Sequence, residues 1–152
     1  MKKKFYCTLL APLFCCNTSN KKANPNEGEI FHRASHFYNN KDYENSLNCF
    51  DSLISVNPLN GEYYFKRGYS KMMLLDDKGA INDFYNAIKY NYDKKRGAFL
   101  NIGTLYRSYG QYDSAVYFYD KALEIDSPYE KAKEEKNEVL KIMRDKKFYL
   151  PK

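Results

Sequence analysis

A chain of 152 residues, 43% hydrophobic and 29% charged, is long enough for one ordinary domain and apolar enough to build a core, which excludes a second catalytic domain and wholesale disorder. The 25 Lys and Arg outnumber the 19 Asp and Glu to give +6, a balance that raises nucleic acid or an anionic surface as a partner. Three of the four cysteines (Cys7, Cys15 and Cys16, with Cys49 apart) crowd the amino terminus, which is no disulfide framework, while 16 Tyr and 10 Phe without Trp point to aromatic packing or binding.

The chain opens with Lys2-Lys3-Lys4, then the uncharged stretch Phe5 to Cys16, then a polar run from Asn17 to Gly28. This is the layout of an export signal. Twelve helical residues rise about 18 Å, well short of a hydrocarbon core of roughly 30 Å, and Pro12 also disfavours a permanent transmembrane helix. Leu13-Phe14-Cys15-Cys16 resembles a bacterial lipobox, in which a thiol receives diacylglycerol before cleavage. The resemblance implies a signal peptide over 1–15, Cys16 as the lipid anchor and a flexible tether over 16–26. Phe14 departs from the small residue preferred there and leaves Cys15 as an alternative anchor. Cleavage removes three Lys and no acid, leaving +3, so the basic character becomes unremarkable. The implied location is the cell envelope, lipid-anchored to a membrane and facing the periplasm or the surface.

Beyond the tether the chain repeats itself. Small residues Ala34, Gly68 and Gly103 recur at intervals of 34 and 35; twelve residues after each come Ser46, Ala80 and Ala115; then the aromatics Phe50, Phe84 and Tyr119; then Leu53, Ala87 and Ala122. Val56, Tyr90 and Ile125 close the units, with Pro58 and Pro128 just after two of them. Small residues let paired helices approach and the aromatic fills the space between turns. The pattern predicts helices over about 28–39, 42–56, 61–74, 77–91, 96–109 and 112–126, with Asp42 and Asp76 as N-caps. Ser127-Pro128-Tyr129-Glu130 predicts the start of a seventh, over about 128–147, with Ala132, Val139, Leu140 and Met143 as its apolar stripe. Its acids Glu130, Glu134, Glu135 and Glu138, interspersed with Lys131, Lys133 and Lys136, read as a solvated face of i,i+4 pairs.

These units resemble the tetratricopeptide repeat, or TPR, family. GTLYRSYGQYDSAVYFYDKALEIDSP, from Gly103 to Pro128, fits the family pattern at its small, aromatic and terminal proline positions. The first copy has Arg33 where an apolar residue is usual, and the middle copy has Lys71 where an aromatic is usual. The resemblance implies an all-α, right-handed superhelix of three helix-turn-helix repeats (about 27–60, 61–94 and 96–129) with a C-terminal capping helix, the domain spanning 27–152.

The sequence carries no P-loop, GxGxxG, HExxH, GxSxG or paired CxxC, so no enzymatic role, cofactor or metal is expected. His32 and His36 lie one helical turn apart but supply only two ligands, and Cys49 beside Phe50 reads as a buried structural thiol. The repeat lattice consumes most aromatics, so neither nucleic acid nor a small-molecule substrate is expected. By analogy with the family, the first helices of the units line a concave groove, where Phe31, Tyr38, Phe65, Tyr69, Met72, Leu100 and Arg107 are the candidate contacts for a protein or peptide partner. Some TPR proteins clamp a chaperone's terminal carboxylate there; Phe31, Ser35 and Gly97 stand at the places of the clamp's Lys, Asn and later Lys, which disfavours that mode. The expected function is a membrane-anchored, non-enzymatic adaptor or scaffold. The alternative is a structural or regulatory subunit of a larger envelope complex that uses its convex face and C-terminal helix.

Overall fold

The computed structural model describes residues 26–125 and 128–148. The signal segment 1–15, Cys16 and the tether up to residue 25 lie outside the described residues, as does Ser127. The described chain is all helix and turn, in the order α1 (Glu27–Asn39), α2 (Tyr43–Val56), α3 (Gly61–Met73), α4 (Asp77–Lys89), α5 (Lys95–Ser108), α6 (Tyr112–Ile125) and α7 (Glu130–Phe148). Each helix packs against its neighbours in sequence, so the three hairpins stack in order and α7 closes the array against α6. This is the right-handed TPR-type solenoid that the family resemblance implies, with a capping helix.

Local signals start and stop the helices where polar side chains satisfy free backbone groups. Asp42 and Asp76 accept from the amides of Asn45 and Gly79, as expected, and Asn26 and Asn60 do the same for Glu29 and Glu62. Four helix ends close with one motif, in which a residue at positive φ is flanked by two backbone hydrogen bonds: Lys41, Leu75, Asn91 and Gly110. The seventh helix begins at Glu130, two residues later than expected, because Pro128 and Tyr129 form a turn in which Pro128 O accepts from the Glu130 amide at 2.8 Å.

Packing follows the lattice closely. Ala34, Ser46, Phe50, Leu53, Ala80, Phe84, Ala87, Ala115, Tyr119 and Ala122 are all fully buried. The glycines are there for room: a Cβ on Gly103 would lie 2.6 Å from Tyr119 Cε1, and one on Gly68 would lie 3.0 Å from Asp83 Cβ. Val56 and Ile125 close α2 and α6, as expected, and are exposed. Each sits in the last turn of its helix, where the next unit no longer covers it. In α7, Ala132 and Val139 are buried and Met143 packs on the same cluster, but Leu140 is exposed and drops out of the apolar stripe.

The middle unit builds its interior differently. In unit three, Ile102, Tyr106 and Phe118 fill the space between α5 and α6, the two rings stacking at 5.3 Å. The residues 35 positions earlier are Arg67, Lys71 and Asp83, and they make ion pairs instead. Asp83 is 0% exposed; its carboxylate accepts from Arg67 Nε at 2.8 Å and Nη2 at 2.6 Å, and lies 2.9 Å from Lys71 Nζ. Lys71 therefore departs from the family pattern because Asp83 departs with it. Arg67 also donates from Nη1 to Asp51 of α2 at 2.7 Å, tying unit two to unit one. The same register recurs 69 residues on, where Lys136 of α7 donates to Asp120 of α6 at 2.6 Å. A further tie joins α1 to α3: the Tyr63 hydroxyl donates to Glu27 Oε1 at 2.7 Å, which, with Asn57, holds the Glu27 carboxyl below its usual pKa.

Candidate functional site: the concave groove

The inner face is set by the helix period. With one small residue of α1, α3 and α5 committed to packing, the side chains one turn away on each helix project to a common side. Tyr38 of α1 and Tyr69 of α3 meet with ring centroids 5.5 Å apart, and Tyr43, from the start of α2, completes the cluster at 6.5 Å from Tyr38 and 6.2 Å from Tyr69. The Lys66 ammonium lies 5.0 Å from the Tyr38 ring centre and 5.7 Å from that of Phe31, with Glu62 at 3.6 Å. Burial first, and then the neighbouring Tyr69, Tyr43 and Tyr92, push the Tyr38 hydroxyl well above its ordinary range.

Further along α3, Phe65 packs against Tyr92 at 4.9 Å and Phe84 at 5.7 Å. A Cβ on Gly97 of α5 would reach the Phe65 ring at an ordinary 3.5 Å. A glycine there leaves the ring edge open where a side chain would cover it. Met72, half-buried, continues the apolar strip toward the end of α3. Five of the candidate contacts, Phe31, Tyr38, Phe65, Tyr69 and Met72, are thus brought together as half-open side chains.

The other two are not. Leu100 is 6% exposed and packs with Ala115, Tyr119, Ala122, Ala132 and Val139, so it belongs to the core beneath α7 and not to the open groove. Arg107 is committed to the capping helix, with Nη1 at 2.9 Å from Glu135 and 2.7 Å from Glu138. Half of the acidic face of α7 is therefore bound across helices instead of in i,i+4 pairs. Tyr43, Lys66 and Tyr92, which lie outside the seven candidate positions, also contribute to the surface through contacts made between elements.

His32 and His36 are exposed, and the His36 ring is in hydrogen-bond contact with Asn40. Among the described residues no three His, Cys, Asp or Glu side chains are grouped to hold a metal ion, and no helix is long and apolar enough to cross a membrane. Cys49 is buried in the unit-one core. What this half-open face presents is ring faces, a thioether and one ammonium flanked by aromatics.

Comparison with known proteins agrees with this architecture. Residues 98–128, the third unit, match the tetratricopeptide repeat family. A STIP1 homologue of Dictyostelium discoideum is 29% identical over 89 residues, covering 59% of this chain, and the match takes in only 16% of that protein's length. Among solved structures, the Arabidopsis OM64 TPR domain superposes with a TM-score of 0.71 at 23% identity, covering 76% of this chain and 94% of that one. The first TPR domain of Spaghetti (RPAP3), solved bound to an HSP90 peptide, superposes with a TM-score of 0.71 at 15% identity, covering 78% and 93%. The chain shares the fold of these TPR domains, and its third unit matches the family in sequence.

Proposed function

We propose that this protein is a non-enzymatic adaptor that holds a segment of a protein partner in its concave groove, tethered to an envelope membrane through a lipid on Cys16. The single observation that carries the groove reading is the half-open row of Phe31, Tyr38, Tyr43, Phe65, Tyr69 and Met72 with Lys66 set among the rings. Phe50, Phe84 and Tyr119, at the lattice positions, are by contrast fully buried. That a fold neighbour holds a peptide supports the reading. The mode differs from a carboxylate clamp: Phe31 and Gly97 supply a ring and an open edge, so the groove favours an internal segment with apolar side chains over a chain end.

All 19 acidic residues follow the tether, whereas five of the 25 basic ones (Lys2, Lys3, Lys4, Lys21, Lys22) precede Glu27, so the helical array is near neutral. For the anchor, lipidation supplies affinity at about 0.8 kcal/mol per buried CH₂, enough for stable attachment only with more than one acyl chain.

Affinity capture from detergent-solubilised membranes tests both parts. The full-length protein is expected to retain a partner that the Tyr69→Glu/Met72→Glu double variant loses while staying helical by circular dichroism. Cys16→Ser is expected to move the protein from the membrane to the soluble fraction. Recovery of the same partners by the double variant shifts the working surface to the convex face and α7; unchanged partitioning of Cys16→Ser removes the anchor from Cys16.

A further inference from the structure

The turns joining the two helices of each unit lie along one edge of the stack, and the middle turn has a composition its fold does not require. Unit one places Asn39, Asn40 and Lys41 there, and unit three Ser108, Tyr109 and Gly110; unit two places Met73, Leu74 and Leu75. Their exposures are 45%, 40% and 86%, and Tyr109 beside them is 49% exposed. Leu75 also carries φ 65°, the left-handed conformation that Lys41, Asn91 and Gly110 adopt at the other three helix ends. A Cβ is disfavoured in that region, and a branched apolar side chain that is almost wholly in water gains no packing to offset it.

The edge is continuous. The Tyr109 hydroxyl donates to Asp77 Oδ2 at 3.0 Å, which fixes the ring of the third turn against the start of α4, two residues from Leu75. Charge then selects the partner. The starts of α2, α4 and α6 along this edge carry Asp42, Glu44, Asp76, Asp77 and Asp113 against Lys41 and Lys78, while the cations in the last turns of α3 and α5, Lys71 and Arg107, are taken up by Asp83 and by Glu135 and Glu138. An apolar patch in an acidic surround repels anionic lipid and attracts an apolar segment flanked by basic residues.

We infer that Met73, Leu74, Leu75 and Tyr109 form a second docking surface, distinct from the groove, for a protein segment with apolar anchors and basic flanks. The inference does not depend on the groove reading, and the test separates the two. Two synthetic peptides share one leucine-rich centre, with lysines at both ends of one and glutamates at both ends of the other. Binding to the full-length chain is followed by fluorescence anisotropy and by amide shifts. The lysine-flanked peptide is expected to bind at least about tenfold tighter than the glutamate-flanked one, with shifts at residues 73–77 and 109. Leu74→Asn/Leu75→Asn is expected to abolish this preference, while Tyr69→Glu leaves it intact. Leu75→Asn alone is expected to raise Tm by about 3 °C, because Asn tolerates the left-handed conformation, so lost binding is not lost folding. Equal binding of the two peptides overturns the inference. So does loss of binding through Tyr69→Glu, binding to phosphatidylglycerol vesicles that Leu74→Asn/Leu75→Asn abolishes, or a concentration-dependent dimer that Leu75→Asn dissolves.

Discussion

Asp83→Leu is expected to lower stability by about 3–5 kcal/mol in urea unfolding, a larger loss than truncating an apolar neighbour of similar size in the same unit. The reason lies in what remains. Asp83 is fully buried and satisfies Arg67 through two hydrogen bonds and Lys71 through an ion pair at 2.9 Å. Removing it leaves two half-buried cations with only Asp51, itself 50% exposed, to answer them. Replacing the whole set is expected to behave in the opposite way. The triple variant Arg67→Ile/Lys71→Tyr/Asp83→Phe installs the side chains that unit three uses at the same register, and a buried ion cluster exchanged for well-packed apolar groups is neutral or stabilising by about 1–4 kcal/mol. A single variant that costs less than about 1 kcal/mol, or a triple variant worse than the single one, contradicts this assignment.

Gly103→Val is expected to cost about 3 kcal/mol, and Gly97→Ala to gain up to about 1 kcal/mol, although both glycines sit in α5. At Gly103 a Cβ meets Tyr119 Cε1 at 2.6 Å, and Tyr119 has no space to yield because its ring is fully buried. At Gly97 the nearest atoms are the Phe65 ring at 3.5 Å, an ordinary contact, so only the gain in helix propensity registers. Thermal unfolding of the two variants beside the parent checks the contrast. Equal effects at the two sites would show that α5 does not sit as close to α6 as its lattice position demands.

How much of this was legible in the sequence follows from what kind of contact each residue makes. The lattice of Ala34, Gly68 and Gly103 and of Phe50, Phe84 and Tyr119 repeats at a fixed interval, and a repeated steric need leaves a repeated residue, so hairpins, register and core were readable. Asp42 and Asp76 were readable because an N-cap is local. Contacts made once, between helices, were not. Arg67, Lys71 and Asp83 look like surface charges in sequence, since nothing local says that the three meet; only the swap against Ile102, Tyr106 and Phe118 reveals them as one unit. Arg107 finds its partners 28 and 31 residues away on α7.

Leu100 shows the limit of register for the site. Its position in α5 matches that of Phe31 and Phe65 in α1 and α3, yet α7 packs where a further unit would begin and covers it. The half-open candidate contacts therefore all lie in the first two units, where no capping helix intrudes. Tyr43 and Tyr92 enter from a second helix and from an inter-unit connection, outside the positions that the repeat pattern marks as inward-facing.

The most direct test of the adaptor reading is site-specific photocrosslinking in the intact host, with benzoylphenylalanine placed at Tyr69 in the groove or at Tyr117, which is 55% exposed on α6. A protein adduct at position 69, absent at position 117 and absent again when Met72→Glu is added, is the expected result. An adduct at 117 with none at 69 would contradict the groove as the working surface and assign that role to the outer face of the array.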